Sequence, residues 1–337
     1  MEAWLYETMS DQRVRCLLCS HQCVIGNHKR GICGVRENRE GVLETRVYGL
    51  LIAASDDPIE KKPLFHVMPG SRSFSIATVG CNFKCRFCQN ADIAQMPADR
   101  DGMVTGDPTT PGQVVAAARK RQCATIAYTY TEPTVFFEFA CDTAELAHGQ
   151  GIKNVFVTNG FMSEAALTRI SPWLDAANVD LKAFSNEFYR KHCGAQLEPV
   201  KSTLKRMKAL GIWVEVTTLI IPGLNDDPDE LSRLATFIAA DLGPETPWHV
   251  SRFHPTYRLM DRRATPVETL LQARRIGIEA GLKYVYTGNI PGQGGEDTLC
   301  PGCGQTVIAR KGFQITTKQV EAGHCRSCGT AIAGIEI

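Results

Sequence analysis

The stretch SFSIATVGCNFKCRFCQN, residues 73–90, runs from a strand-like series of β-branched and aromatic residues directly into three closely spaced cysteines, Cys81, Cys85 and Cys88. Three thiolates on one short loop suit three irons of a 4Fe-4S cube, and they leave the fourth iron without a protein ligand. A zinc knuckle is the alternative, but zinc usually takes four ligands and no further Cys or His stands at knuckle spacing. The stretch therefore predicts a cluster with an open iron at the end of a strand.

Strand-like runs alternate with helical segments from this stretch onward. The runs begin at Ser73, Thr125, Asn154, Asn178, Trp213, Trp248 and Tyr284. Helix starts are marked by Thr110-Pro111 and Asp227-Pro228, where an N-cap residue precedes a proline. Six or seven successive strand–helix units predict an α/β fold, a partial (β/α)6 barrel of the TIM type over residues 73–292. In such a fold the ligands gather at the carboxyl ends of the strands.

The segment before this core, residues 1–72, is predicted to bind a metal. Its cysteines follow the pattern CX2CX3CX9C and are Cys16, Cys19, Cys23 and Cys33. The spacing does not match a ferredoxin run, so zinc is the first expectation and an auxiliary iron–sulfur cluster is the second. Partial use of the four cysteines, with one left free, is the third.

The segment after the core, residues 293–337, contains two CX2C knuckles. Their cysteines are Cys300, Cys303, Cys325 and Cys328. Two thiolates from each knuckle make four ligands, which predicts a zinc-ribbon-like domain with a structural zinc ion. A rubredoxin-like iron site is the alternative.

The composition disfavours several classes of protein. The 337 residues include 37 Lys and Arg against 36 Asp and Glu, a net charge of +1, which argues against a protein that coats nucleic acid or an acidic membrane surface. No stretch approaches the length of a membrane span, and the N-terminus lacks the apolar core of a signal peptide. We therefore expect a cytoplasmic protein, in which clustered cysteines bind metal. The remaining cysteines, Cys123, Cys141 and Cys193, are expected to be ordinary buried thiols.

The central stretch resembles a known signature. CX3CX2C with Phe87 just before its last cysteine is similar to the signature of radical S-adenosylmethionine (SAM) enzymes. More narrowly, CNFKCRFCQN resembles the pyruvate formate-lyase-activating-enzyme branch, and especially the radical SAM member of the AmmeMemoRadiSam system. The segment CLLCSHQCVIGNHKRGICGVREN, residues 16–38, is similar to the N-terminal segment of that member.

The resemblance implies a site built from successive strand ends, with the catalytic cluster on Cys81, Cys85 and Cys88. The residues that it assigns to SAM binding are Phe87, Glu132, Asn159, Asp180, Lys182, Ile221 and His254. Glu132 would accept hydrogen bonds from the SAM amino group, and Lys182 would offer a cation to the carboxylate or the ribose. The backbone beside Phe87 and the apolar edge at Ile221 would suit adenine, and His254 would hydrogen-bond ribose or adenine.

Four of these residues also have a plain structural interpretation. Glu132 precedes a proline and could cap the next helix, and Lys182 could be a solvated lysine. Asn159 precedes a glycine and could form a simple turn, and His254 could be a loop histidine.

The chain departs from the activating enzymes at two places. Val157 stands where those enzymes have an aspartate associated with a monovalent cation, so no cation site is carried over. Tyr130 and Thr131 replace the glycines of the Gly-Gly-Glu motif of the superfamily, as in the AmmeMemoRadiSam branch. The first departure weakens the case for activation of a glycyl-radical enzyme.

The resemblance implies an oxidoreductase that cleaves SAM reductively into methionine and a 5′-deoxyadenosyl radical, which takes hydrogen from a protein or other macromolecular substrate. A glycyl-radical-enzyme activase is the alternative enzyme, and a zinc-dependent binding module, with zinc in all three cysteine groups, is the alternative without catalysis. The implied partners are an electron donor such as flavodoxin or ferredoxin and the Memo-like and AMMECR1-like proteins of the same system.

Overall fold

A computed structural model of the chain describes residues 1–290 and 295–337. Its N-terminal part is made of short strands. They are β1 (Tyr6–Thr8), β2 (Val14–Cys16), β3 (Val24–Ile25), β4 (Arg36–Arg39), β5 (Val42–Thr45), β6 (Leu50–Leu51) and β7 (Ala53–Pro58). Strands β1 to β3 form one antiparallel sheet, and β4 pairs with β5 in a hairpin. The hairpin turn at Glu40 and Gly41 has positive φ at both residues, which matches the right-handed twist of the two strands.

The central part is an alternation of strands and helices. Its strands are β8 (Arg72–Ala77), β9 (Asp107–Pro108), β10 (Thr125–Tyr128), β11 (Lys153–Thr158), β12 (Ala176–Asp180), β13 (Trp213–Ile220), β14 (Trp248–Arg252) and β15 (Val285–Gly288). Its helices are α1 (Ala91–Ala94), α2 (Met96–Asp99), α3 (Pro111–Lys120), α4 (Phe137–His148), α5 (Glu164–Ile170), α6 (Asn186–Phe188), α7 (Leu197–Ala209), α8 (Pro228–Phe237) and α9 (Val267–Glu279).

One eight-stranded sheet carries the fold, in the order β15-β14-β13-β12-β11-β10-β8-β7. The seven strands from β8 to β15 pair in parallel, and β7 pairs antiparallel with β8 at the edge. The predicted α/β class with a parallel sheet is confirmed. The sheet takes β7 from the segment predicted as a separate N-terminal unit, residues 1–72, and the predicted boundary between residues 292 and 293 lies outside the described residues.

Local sequence signals explain where the helices begin and how closely they pack. Thr110 forms a capping box with Gln113 at the start of α3, and the Asp227 side chain caps α8. Gly277 lets α9 approach β14, because a Cβ there would lie 2.9 Å from the ring of Trp248. No helix in the described ranges is both long and apolar enough to span a membrane.

The C-terminal part is a small β module. Its strands are β16 (Thr298–Leu299), β17 (Thr306–Lys311), β18 (Gln314–Lys318), β19 (Val320–Glu321) and β20 (His324–Cys325). His66 connects this module to the sheet: its Nδ1 donates to Ala333 O at 2.6 Å, and its Nε2 accepts from the Tyr286 hydroxyl at 2.6 Å. The His66 ring also packs on Trp213 and Tyr284, which lie at the amino ends of β13 and β15. The module therefore docks at the end of the sheet opposite the carboxyl edge.

Candidate active site

The three cysteines of the central stretch lie on the loop that follows β8, at the carboxyl edge of the parallel strands. Cys85 is buried, and Cys81 and Cys88 are half-buried. Burial raises the pKa of Cys81 well above its ordinary value, and the neighbouring Glu132 raises it further. Burial and Cys85 raise the pKa of Cys88 to about 11. Buried thiols with raised pKa values lose their protons when a bound metal centre supplies a compensating positive charge.

The spacing of these sulfur atoms fits a cluster larger than a single ion. They do not all lie within 4.8 Å of one another, whereas the sulfur ligands of one tetrahedral zinc ion are about 3.8 Å apart. Cysteines bound to different corners of an iron–sulfur cube are about 6 Å apart. The residues present therefore fit the 4Fe-4S cluster that the resemblance implies better than a zinc knuckle.

The cysteine loop is held by the π-helical turn Tyr189–Cys193. Lys84 N donates to Cys193 O at 2.7 Å, and Arg86 N donates to the preceding carbonyl at 2.9 Å. A hydrogen bond with the Cys193 thiol, together with burial, raises the pKa of Cys85. Cys193 is buried as predicted, but it lies beside the cysteine loop, which its distance in the sequence did not indicate.

Lys182 lies just beyond the end of β12, next to these sulfurs. Its Nζ is 3.1 Å from Asp180 Oδ2, and its side chain is only 15% exposed, so the interpretation as a solvated lysine does not hold. Burial alone lowers the pKa of Lys182, but Asp180 and the sulfur atoms of Cys85 and Cys193 outweigh burial and raise that pKa well above its ordinary value. Lys182 is therefore a protonated cation at the carboxyl edge.

Glu132 is buried and accepts several hydrogen bonds from the chain. Its Oε1 accepts from Thr134 N at 3.1 Å, from Thr134 Oγ1 at 2.5 Å and from Thr158 Oγ1 at 2.8 Å. Among the described residues, its Oε2 accepts from Asn159 N alone, at 2.8 Å. Burial raises the pKa of Glu132, and these hydrogen bonds only partly oppose it. The capping interpretation is confirmed for Oε1, while Oε2 keeps a lone pair for one further donor.

Asn159 links the end of β11 to the cysteine loop. Its Nδ2 donates to Asn82 Oδ1 at 2.7 Å and is 3.9 Å from Cys81 Sγ. Its Oδ1 accepts from Phe161 N at 3.0 Å, as expected of a residue in a turn. The turn therefore explains the amide oxygen of Asn159, and the contact with the cysteine loop explains its amide nitrogen. Asn82, which follows the first cysteine of the loop, was not singled out by the sequence analysis.

Ile221 and Phe87 supply the apolar part of this edge, and both are buried. Ile221 N donates to Asn225 Oδ1 at 2.6 Å, and Asn225 Nδ2 donates to Lys182 O at 2.6 Å. The Asn225 amide thus fixes the ends of β12 and β13 to each other. The Phe87 ring centre is 5.8 Å from Lys182 Nζ.

His254 is exposed and follows the carboxyl end of β14. The chain after β14 reaches that loop through Arg258, whose backbone N donates to Arg86 O at 2.9 Å. Burial and the neighbouring Asp99 raise the pKa of Tyr257, and the charge of the nearby Cys88 thiolate raises it further. The hydrogen bond from His254 to ribose or adenine stays a prediction.

A polar cluster that the sequence analysis missed supports the end of β10. Tyr130 has a φ of 62°, a conformation that favours glycine, which explains why glycine suits this motif in the superfamily. Its hydroxyl donates to Asp57, and Lys62 Nζ is 2.7 Å from the same carboxylate and 4.4 Å from the Tyr130 ring centre. Lys62 is only 2% exposed. The positive φ at Tyr130 is thus held by buried contacts of the phenol.

The two outer cysteine groups differ in spacing. The sulfurs of Cys300 and Cys328 are 3.5 Å apart, and those of Cys303 and Cys325 are 3.9 Å apart. All four lie within 4.8 Å of one another, as ligands of a single metal ion do. The N-terminal cysteines instead line one cavity. They are Cys16, Cys19, Cys23 and Cys33.

Comparison with known proteins agrees with this geometry. Residues 75–235 match the family model described as the radical SAM superfamily. The chain is 47% identical to the uncharacterized protein MJ0808 of Methanocaldococcus jannaschii over 333 residues, which cover 98% of each chain. It is 22% identical to the pyruvate formate-lyase-activating enzyme of Clostridium pasteurianum over 226 residues, 64% of this chain and 91% of that enzyme. A radical SAM methyltransferase from Sphaerobacter thermophilus is similar in fold, with a TM-score of 0.51 at 16% identity over 65% of this chain and 66% of that one.

Proposed function

Because the chain belongs to the radical SAM superfamily, we propose that it is an enzyme in which a 4Fe-4S cluster and SAM supply one-electron chemistry that removes a hydrogen atom from a macromolecular substrate. The observation that carries this proposal is the placement of Cys81, Cys85 and Cys88 on one loop at the carboxyl edge of the sheet, with sulfur atoms that do not all lie within 4.8 Å of one another. Three cysteines leave one position of a four-iron cluster for a small molecule.

The strand-end residues provide contacts of the kind that SAM needs. The Lys182 ammonium, held protonated by Asp180, suits the carboxylate of SAM. Glu132 Oε2 has a lone pair for the amino group, and its other contacts hold the ends of β10 and β11 in place. The buried side chains of Phe87 and Ile221 suit the adenine ring and keep water from this edge.

The proposal is tested by the formation of 5′-deoxyadenosine. Anaerobically reconstituted protein is incubated with SAM and a strong reductant, and the product is measured by chromatography. We expect product from the unchanged chain and none from Cys85→Ala. If the unchanged chain holds a full complement of iron and sulfide and yet forms no 5′-deoxyadenosine with any candidate substrate present, the proposal fails.

Cys193→Ala is the matched control, because Cys193 is a buried thiol beside Cys85 but outside the CX3CX2C loop. We expect this variant to keep its iron and to form product. If Cys193→Ala instead loses iron to the same extent as Cys85→Ala, Cys193 is a fourth ligand, and the premise of an open iron is wrong.

We propose further that the enzyme acts in the AmmeMemoRadiSam system, with an electron donor such as flavodoxin or ferredoxin. The resemblance of residues 16–38 to the member of that system supports this assignment. Co-purification with the Memo-like and AMMECR1-like proteins tests it. If neither protein binds the chain or changes the rate at which 5′-deoxyadenosine forms, the assignment is overturned.

Activation of a glycyl-radical enzyme is the second candidate, favoured by the similarity to the pyruvate formate-lyase-activating enzyme. Val157, which stands in place of an aspartate, speaks against it. Electron paramagnetic resonance (EPR) of a partner protein after the reaction separates the two candidates, since an activase leaves a stable glycyl radical on its partner.

A further inference from the structure

The four N-terminal cysteines surround a cavity at the carboxyl edge of the sheet. The cysteines are Cys16, Cys19, Cys23 and Cys33. Cys16 is buried and the other three are half-buried. Four thiols that line one cavity in an apolar setting are typical of a metal centre.

The spacing of the four sulfur atoms distinguishes between a zinc ion and a cluster. No three of them lie within 4.8 Å of one another. In the same structure the C-terminal sulfurs approach to 3.5 and 3.9 Å, close to the separation of about 3.8 Å that one tetrahedral ion requires. The N-terminal sulfurs are therefore not placed as the ligands of one ion, and they line a cavity instead.

Two buried side chains that line this cavity carry donors without a partner among the described residues. Arg36 is 1% exposed, and its Nη2 donates to both carboxylate oxygens of Glu138 at 2.7 and 2.6 Å. Arg36 Nε and Nη1 and Asn82 Nδ2 have no hydrogen-bond partner in the part of the chain that the structure describes. All three are N–H donors, and a buried N–H without an acceptor is costly. Thiolate and sulfide sulfurs are acceptors that would satisfy these donors.

The cavity also touches the loop of the catalytic cysteines. Asn82 lines the cavity, while its Oδ1 accepts from Asn159 on the other side. His21, within the N-terminal cysteine segment, donates from Nε2 to Asn82 O at 2.8 Å. Ser20 N donates to Phe161 O at 3.0 Å. One residue, Asn82, thus lies between the two cysteine groups.

We propose that the cysteines of this cavity bind a second iron–sulfur cluster of more than one iron, with Arg36 and Asn82 donating hydrogen bonds to its sulfurs. Four cysteines are the usual ligand set of such a cluster. The ligands are Cys16, Cys19, Cys23 and Cys33.

The experiment uses a chain without the catalytic ligands, so that its result does not depend on the proposed function. The triple variant carries Cys81→Ala, Cys85→Ala and Cys88→Ala. After anaerobic purification, its iron, acid-labile sulfide and zinc are measured per chain, and its EPR spectrum is recorded after reduction. We expect iron and sulfide in similar amounts, the EPR signal of a reduced cluster and a single equivalent of zinc.

A second variant locates the remaining iron. Adding Cys19→Ala and Cys33→Ala to the triple variant is expected to remove iron and sulfide, while the zinc stays at one equivalent. Retained zinc and an unchanged circular dichroism spectrum show that the chain still folds. If the triple variant contains no sulfide and holds two equivalents of zinc, the N-terminal site is a zinc site and the proposal is overturned.

Discussion

The C-terminal cysteines bring two pairs of sulfur atoms to 3.5 and 3.9 Å at the amino end of the sheet, whereas the N-terminal cysteines surround a cavity at its carboxyl end. Both groups offer four thiols, and both contain a CX2C pair. Cys303 and Cys328 are exposed on a small β module, while the N-terminal group shares one hydrophobic core with the sheet. Four thiols therefore lie in a small outer module in the C-terminal group and against the main core in the N-terminal group, and the surrounding fold makes this difference.

The largest expected effect follows from changing the C-terminal cysteines. Cys300→Ser with Cys325→Ser removes two of the four thiols that could hold a metal ion, and a structural zinc ion contributes about 10 kcal/mol to the folding of small modules. The module packs around a small core that is separate from the main core and is completed by Phe65, Tyr284 and Tyr286, so we expect β17 and β18 to lose their amide protection. Hydrogen exchange measured by mass spectrometry tests this, with Cys123→Ser as the control.

The N-terminal segment should keep its exchange pattern in that variant, because its core is continuous with the sheet. Protection of β17 and β18 that survives the loss of the metal would show that docking through His66 and Arg310 is enough to fold the module.

The next effect concerns the N-terminal site, where Arg36 and Glu138 form an ion pair with 1% and 0% of their side chains exposed. Arg36→Met leaves the buried Glu138 carboxylate without its cation, although Trp4 N still donates to its Oε1, and breaking such a buried ion pair costs about 3 to 5 kcal/mol. We expect this loss in the free energy of unfolding measured in urea. Arg36→Met with Glu138→Leu should recover most of it, because both charges are then absent. A loss below about 1 kcal/mol in the single variant would mean that water reaches Glu138.

Local patterns predicted much of this fold and the catalytic loop. The run TIAY and the residues after Trp213 have strand composition, and Thr110 marks a helix start, so β10, β13 and α3 lie where the sequence indicates. The CX3CX2C spacing is equally local, and it identified the loop after β8.

The contacts that complete the site join residues far apart in the chain. The Tyr130 hydroxyl reaches Asp57, 73 positions away, and the Cys193 thiol reaches Cys85. The number of residues between the cysteines does not determine how far apart their sulfur atoms lie in space, so the sequence left zinc as the first expectation for the N-terminal group. The folded arrangement adds that no three of those sulfurs all lie within 4.8 Å of one another.

The third effect depends on pH and concerns His66, which connects the C-terminal module to the sheet. Burial lowers the pKa of His66 from 6.5 to about 4, so the folded chain keeps this imidazole neutral. The unfolded chain binds a proton below pH 6.5 and the folded chain only near pH 4, so stability falls as the pH drops through this window. A shift of this size corresponds to about 3 kcal/mol. His66→Gln is expected to flatten this part of the unfolding free energy measured against pH; an unchanged slope would assign the dependence to other groups.

The smallest effect tests whether the two cysteine groups of the carboxyl edge act together. Asn82→Ala removes the acceptor of Asn159 Nδ2 and the unpaired donor in the N-terminal cavity. The loss of one or two hydrogen bonds of about 1 kcal/mol each predicts a fall of roughly tenfold in 5′-deoxyadenosine formation. We also expect a changed EPR spectrum of the N-terminal cluster in the variant that lacks the catalytic cysteines.

Thr330→Ala is the corresponding change at the C-terminal site, where the Cys328 thiol donates to Thr330 Oγ1 at 3.2 Å. It removes a hydrogen bond made with a cysteine sulfur at the end of the sheet opposite Asn82. We expect it to leave the formation of 5′-deoxyadenosine unchanged. An equal fall in both variants would mean that the two sites affect activity only through general stability. A fall in Asn82→Ala alone, with its iron content intact, would assign the effect to the contact between the N-terminal cavity and the catalytic loop.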